Sequence, residues 1–511
     1  MRVVRTMLGA FGMMAICAPP VLAQHAPAPI VQGADGWLVY GTPATLRRDP
    51  AVAGGGSVTA APLPTPAEPW TAAASVPIPH ALRAGDAVTI AFWARADAPQ
   101  TVPLFVQALE APYTPVLNEP LALTPRWQRF VRTATAPAAL AAGSQLMSVQ
   151  IGQARHAVAL GPVTVLEGRA DGGRIDAAFA GFRPTRVAES VAIVSDSVVT
   201  LAGTLRTPVG RGSGPFPLAI VIQGHGRNGR GGFDAVMDRL LADGIATLEY
   251  DKRGIGGSTG RYEEDVDKLT ADARAAVAAM RRRPDIDGAR IALLGHSQGG
   301  AIAPAVAARD PRIAAIVTFG APVGDGYELL RMSMREQLLA AGKPPATVAP
   351  LVDAAIALIR ARVEQAEPAR IEPLKARVIA GFVANGFTAE QAAGALAATD
   401  TPELHQIAHA RIASDLRALR IPVLELFGAL DPLVTPGHAA AARAALARNP
   451  AGRVVMFEGM SHWFKDGART GTEAENASLG PNIGSPRVVT LVGDWLRDAL
   501  VAGAMPRVAA R

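Results

Sequence analysis

Three residues in the later half of the chain have types and settings that could carry nucleophilic hydrolysis: Ser297, Asp431 and His462. Ser297 stands in "IALLGHSQGGA" (291–301), where four apolar residues run into Gly-x-Ser-x-Gly and then into small residues able to open a helix. Glycine at 295 and 299 permits a sharp strand-to-helix turn with the serine hydroxyl at its tip. A serine hydroxyl is a weak nucleophile at neutral pH, so it needs a base to take its proton and an acid to orient that base. Gly-x-Ser-x-Gly also occurs in plain turns, and the reading therefore depends on finding those partners.

Of nine histidines, His25, His80 and His156 precede the region that holds Ser297. His462 in "FEGMSHWF" follows the last apolar run, in a loop long enough to reach back over a sheet, and Asp431 in "LFGALDPLVTP" follows the run before it. Asp251 in "YDKRGIGGS" follows an early run and fits a loop-fixing role better, while Glu458 is too close in sequence to His462 to reach around it. The oxyanion of an acyl intermediate needs two backbone donors. Gln298, just after the serine, supplies one; "GHGRNGRGG" (224–232) supplies the other through the amide of His225, with Gly226 as the alternative. His405 and His409 in "ELHQIAHA" have i, i+4 spacing, but no glutamate stands between them in the His-Glu-x-x-His manner and no third ligand is evident, so neither a metal nor an organic cofactor is implied.

These residues must be held by a sheet. "PLAIVIQ" (217–223), "IATLEY" (245–250), "RIALLG" (290–295), "IAAIVTFG" (313–320), "IPVLELFG" (421–428) and "RVVMFE" (453–458) are short apolar runs of the kind buried on both faces. Amphipathic segments such as "EDVDKLTADARAAVAAMRRR" (264–283) lie between them, which predicts a doubly wound, mostly parallel sheet. Ser, Asp and His in that chain order, at the ends of successive strands, is the order of the α/β-hydrolase fold. Residues 322–416 interrupt the rhythm with Ala-, Leu- and Arg-rich helical text, including "VAPLVDAAIALIRARVEQA" (348–366), and read as an inserted helical lid.

Ahead of this domain, residues 28–168 consist of short runs separated by turn residues. "DAVTIAFWARAD" (86–97), "TVPLFVQALE" (101–110), "WQRFVRTATA" (127–136), "LMSVQIGQA" (146–154) and "AVALGPVTVLE" (157–167) predict an antiparallel all-β sandwich. Trp37, Trp93 and Trp127 fall here, where a tryptophan either fills the core or stacks on a sugar. The Gly- and charge-rich stretch 169–186 reads as a linker, and the hydrolytic domain as 187–505. Residues 1–23 have the charged start, apolar centre and small-residue "VLA" of a secretory signal, with cleavage before Gln24. Cys17, the single cysteine, falls inside it, so the mature chain has no thiol chemistry, and a periplasmic or secreted destination follows. No later segment carries the roughly 18 uninterrupted apolar residues of a membrane helix. The net charge of +6 comes from basic residues scattered among acids, which is a solvated surface and not a nucleic-acid footprint.

Residues 187–505 resemble the bacterial α/β-hydrolase esterases grouped with the serine-aminopeptidase-like (S33-like) hydrolases. The resemblance rests on "LAGTLRTP", "VIQGHGRNGR", "YDKRGIGGSTG", "GHSQGGAIAP", "GALDPLVTP", "GMSHWF" and the ending "TGTEAENASLGPNIGSPRVVTLVGDWL". Many relatives carry "GSGPQDRD" where this chain has "GHGRNGRGG", a change that backbone donation survives. Residues 28–168 resemble the jelly-roll carbohydrate-binding modules in strand pattern. Together these imply hydrolysis of a small or medium acyl ester through an acyl-enzyme, the ester being carried on a glycan if the front module binds carbohydrate. An aminopeptidase on the same residues would need a lid acid such as Glu328 or Glu336 to hold the substrate amine; a glycan-binding protein with an inert hydrolase domain is the third reading. Oligomeric state is left open.

Overall fold

The computed structural model describes residues 30–502 apart from 79, 110–112, 142 and 183–184. The expected signal segment 1–23, its cleavage point at Gln24 and Cys17 lie outside the described residues. The chain forms two compact units, one running up to Val191 and including Thr204–Gly212, the other comprising Ala192–Gly203 and the chain from Ser213 onward.

Strands of the first unit are β1 (Ile30–Gln32), β2 (Leu38–Tyr40), β3 (Ala44–Arg48), β4 (Gly56–Ala60), β5 (Ala73–Ile78), β6 (Ala87–Ala96), β7 (Gln100–Ala108), β8 (Pro115–Leu123), β9 (Gln128–Thr135), β10 (Gln145–Gln150) and β11 (Val158–Glu167). They make two antiparallel sheets, one ordered β3-β4-β11-β6-β9 with β1 beside β11, the other ordered β2-β5-β10-β7-β8. Val58, Val88, Phe92 and Val163 of the first sheet share one buried cluster with Ala74, Val102, Leu104 and Met147 of the second. Period-2 side-chain alternation is what lets each sheet turn one apolar face to that cluster. Trp37 belongs to it, 5% exposed, with its indole N–H on the Gly161 carbonyl at 2.7 Å and its ring edge-on to Phe92. The stretch expected as a linker, 169–186, carries a helix, α1 (Gly172–Gly181), capped by Asp171 and anchored by Ile175 against Ala91 and Leu166.

Beyond it come β12 (Arg186–Val194), β13 (Thr200–Pro208), β14 (Phe216–Ile222), α2 (Asp234–Ala242), β15 (Ala246–Tyr250), α3 (Val266–Arg281), β16 (Ile286–His296), α4 (Gln298–Arg309) and β17 (Ile313–Phe319). Six helices follow: α5 (Gly326–Ala340), α6 (Pro345–Val363), α7 (Pro368–Ala384), α8 (Ala389–Ala397), α9 (Pro402–Ala408) and α10 (Ile412–Ala418). The chain then returns to the sheet with β18 (Val423–Gly428), α11 (Pro436–Leu446), β19 (Gly452–Phe457), α12 (Glu473–Ser478) and α13 (Pro486–Leu500). The eight-stranded sheet is ordered β12-β13-β15-β14-β16-β17-β18-β19, with parallel pairing from β15 to β19. Val221, Leu294, Val317 and Leu426 bury one face of it against α2 and α13 through Phe233, Val236, Val492 and Leu496. The helices between β17 and β18 have an apolar cluster of their own, with Leu351 and Ile359 of α6 packed against Val378 and Phe382 of α7 and Leu338 of α5.

Candidate active site

A parallel sheet delivers the loops after its strands to one edge, so residues distant in sequence meet there. Ser297 occupies the single residue between β16 and α4, at φ 53° and ψ −117°, a left-handed conformation that L-residues rarely adopt. Its neighbours make that turn possible. A Cβ on Gly299 would lie 2.0 Å from the Ile222 carbonyl oxygen, so α4 can start this close to β14 only with glycine there. Gln298 is the first residue of α4, where an amide has no partner within the helix. Both Ser297 and Gln298 are partly exposed.

Asp431 and His462 follow β18 and β19 and are brought into contact: His462 Nδ1 lies 2.6 Å from Asp431 Oδ2, with both side chains buried. Asp431 Oδ1 accepts the amides of Leu433 and Val434, each at 2.8 Å, so the carboxylate is fixed at both ends. Burial works against a charged His462, but the Asp431 carboxylate outweighs it and holds the imidazole above its ordinary pKa of 6.5. The loop behind His462 is tied down by Ser461 Oγ on Asn476 Oδ1 at 2.5 Å and by Lys465 Nζ on the Asn476 carbonyl at 2.7 Å.

His296, just before Ser297, was not singled out by sequence reasoning. Its ring is fully buried, lies 4.7 Å from the His462 ring and 4.6 Å from that of Trp463, and places Nε2 3.1 Å from the His462 carbonyl oxygen. Burial, with the neighbouring His462, pushes it down to about 3, so it stays neutral and braces the loop without charge. Nothing in a Gly-His-Ser string reveals that the imidazole packs under a histidine 166 positions later.

The loop after β14 runs beside the elbow: a Cβ on Gly224 would sit 3.2 Å from Ser297 Cβ. His225 is the next residue. The alternative donor, the Gly226 amide, is already engaged with Glu264 Oε1 at 2.8 Å, which removes it from the oxyanion candidates. Asp251 fixes the far side of the same loop, accepting the Arg230 amide at 2.8 Å and the Gly257 amide at 3.0 Å.

The acids considered for amine binding sit elsewhere. Glu336 of α5 accepts Thr435 Oγ1 and, at 3.3 Å, the Gly437 amide at the start of α11. Glu328 is exposed and lies 3.9 Å from Arg331. His405 Nε2 lies 3.3 Å from Asp400, and among the described residues no group of three metal-ligating side chains forms. In the first unit, Trp127 donates to Asp49 Oδ2 at 3.2 Å with Arg95 over its ring. Exposed aromatics among the described residues of this unit include Trp70, Tyr40 and Tyr113, the Tyr40 hydroxyl donating to the Trp70 carbonyl at 3.2 Å.

A strand order that reverses about β14, parallel pairing from β15 onward, and a strained serine between the fifth strand and its helix define an α/β-hydrolase fold. Residues 216–464, just under half of the chain, match the serine aminopeptidase (S33) family. The chain is 34% identical over 113 residues to the quorum-quenching protein AidA of Acinetobacter baumannii, covering 22% of this chain and 37% of that one. It is 32% identical over 117 residues to the esterase EstD of Thermotoga maritima, 21% of this chain and 27% of that one. The matched segment thus spans well under half the length of either relative. Among solved structures, the esterase Pf2001 of Pyrococcus furiosus aligns over 66% of this chain and 96% of its own at 16% identity and a TM-score of 0.37.

Proposed function

We propose that this protein is a serine hydrolase that cleaves carboxylic esters through Ser297, His462 and Asp431. One observation carries the reading: a serine in a strained strand-to-helix elbow shares a sheet edge with a buried Asp–His pair whose Nδ1 is already committed to the carboxylate. With Nδ1 occupied, Nε2 is the nitrogen left to act as base toward the nucleophile. His462 accepts the Ser297 proton as Oγ attacks the acyl carbonyl, Asp431 holds the tautomer and stabilises the imidazolium, and the amides of Gln298 and His225 receive the oxyanion. His462 then protonates the leaving alkoxide, and water, activated by the same imidazole, releases the acyl group.

The six helices after β17 act as a lid that shapes the acyl pocket. Ester rather than peptide hydrolysis is favoured because Glu336 is engaged with Thr435 and Gly437 and Glu328 pairs with Arg331, leaving neither placed as an amine anchor. The first unit is read as a jelly-roll-like module that holds a glycan carrying the ester, and the protein as periplasmic or secreted. Hydrolysis of p-nitrophenyl acetate and butyrate is compared with that of aminoacyl p-nitroanilides, for the wild type and Ser297→Ala. Ester turnover abolished by the substitution is the expected result; turnover that survives it, or a preference for anilides, overturns the reading.

A further inference from the structure

The loop that carries the candidate oxyanion donor His225 is rich in glycine. Gly224 and Gly226 flank His225, and Gly226 adopts φ +104°, so the orientation of these peptide planes is not set by the backbone itself. Three side chains set it. Asn228 Nδ2 donates to the carbonyls of Gly224 (3.3 Å) and His225 (2.7 Å), Glu264 Oε1 accepts the Gly226 amide at 2.8 Å, and Lys252 Nζ donates to the Gly226 carbonyl at 3.2 Å. The peptide between 225 and 226 is therefore held at both its carbonyl and its amide. The peptide that carries the His225 N–H is held through the Gly224 carbonyl.

Lys252 and Glu264 are buried, 4% and 10% exposed at the side chain, and are paired at 3.1 and 3.2 Å. Burying such a pair is unfavourable unless every polar atom finds a partner. Here the partners converge on one place. Lys252 reaches Glu264, the Gly226 carbonyl and Gln298 Oε1 at 3.2 Å; Glu264 receives Lys252, the Gly226 amide and the Tyr262 hydroxyl, and lies 3.6 Å from His225 Nδ1. The ammonium thus bridges the loop after β14 and the first residue of α4, the two segments that supply the oxyanion amides.

We propose that Lys252 and Glu264 are a positioning pair for the oxyanion hole, fixing the 224–227 backbone so that the His225 and Gln298 amides converge on the developing oxyanion. This rests on the esterase reading above. Neither residue is itself an oxyanion donor: Glu264 acts through the Gly226 amide and Lys252 through the Gly226 carbonyl and the Gln298 side chain, and their effect is expected where the oxyanion develops. Burial draws the Lys252 ammonium down in pKa, while Glu264, which burial alone would raise, is held low by Lys252, Tyr262 and the Gly226 amide.

The test is steady-state kinetics of Lys252→Met and Glu264→Gln on p-nitrophenyl butyrate, with inhibition by an alkyl trifluoromethyl ketone, whose serine adduct places an oxyanion in the hole. The expected result is a fall in kcat of about 10- to 100-fold with KM changed by less than about threefold, because removing an oxyanion donor outright is worth about 10² to 10³. Inhibition by the ketone weakens by a comparable factor, a readout that a merely structural pair would not move. If Lys252→Met does not fold, Glu264→Gln, which keeps the size of the side chain but removes the charge that pairs with Lys252, gives the same reading. The proposal is overturned if folded variants keep kcat within about twofold, or raise KM at unchanged kcat. Should Ser297→Ala be inert while Lys252→Met turns over normally, only the positioning role fails; should Ser297→Ala remain active, the esterase reading itself fails.

Discussion

Asp431 turns one carboxylate oxygen to two backbone amides and the other to His462, so its position and its charge can be separated by substitution. In Asp431→Asn the amide oxygen can still accept Leu433 and Val434, but the amide nitrogen then faces Nδ1 and forces the proton onto Nε2, the atom that must act as base. Such a tautomer error in a serine triad lowers kcat by about 10⁴-fold, which steady-state assay of the folded variant will show. The pH profile adds a sign. The proposed mechanism needs neutral His462, which is held above its ordinary 6.5, so kcat/KM of the wild type is expected to rise with pH through an inflection above that value. Without the Asp431 charge, burial is opposed only by the weaker influence of Glu473, and the inflection of the residual activity moves downward. Ser297, Asp431 and His462 stand out as candidates in the sequence because each pairs a reactive type with the end of an apolar run, and the structure adds the Asp431–His462 contact and the strained turn at Ser297. His296, Lys252 and Glu264 are not, because what they do depends on partners 166, 26 and 38 positions away.

The strands are the most legible elements. The runs at 217–223, 313–320 and 453–458 became β14, β17 and β19 within a residue at each end, because a strand buried on both faces must be apolar throughout. Boundaries shift where tertiary pairing, not composition, decides: β16 begins at Ile286, before the apolar run, since Ile286 pairs with Phe216. Helix α1 was hidden by glycines and charges that suggest a linker, and its order comes from the Asp171 cap and the burial of Ile175. Glu336 shows the same limit, for its partners are supplied by α11. Glu336→Ala leaves the buried Thr435 hydroxyl and the Gly437 amide without an acceptor at the point where α5 meets the segment after Asp431. Loss of about 1 kcal/mol of stability is expected, with a change in relative rates on acetyl, butyryl and octanoyl esters as α5 loosens. Exposed Glu328→Ala serves as the control and should alter neither melting temperature nor chain-length profile.

At the scale of the whole molecule, the sheet that carries the candidate site also contains a buried acid with no part in the proposed chemistry. Glu425 on β18 is completely buried, accepts Thr318 Oγ1 of β17 at 2.5 Å on one oxygen, and has no partner for the other among the described residues. Burial raises its pKa from 4.5 to about 7, with the Thr318 bond a smaller opposing influence. The sign follows directly: between those two values the folded protein keeps a proton on Glu425 that the unfolded chain has lost. Its contribution is therefore fully present below pH 4.5 and is lost as pH rises through about 7. The slope reaches about 1.4 kcal/mol per pH unit, or about 3 kcal/mol across the interval. Glu425→Gln keeps the shape and an acceptor for Thr318 while removing the titration. Urea unfolding of wild type and variant from pH 4.5 to 7.5 should give stabilities that diverge as pH rises, the variant gaining relative to the wild type, because groups common to both cancel in the difference. Parallel curves would mean that Glu425 reaches water or a partner when the sheet breathes, and that the interior of this sheet is less closed than its packing indicates.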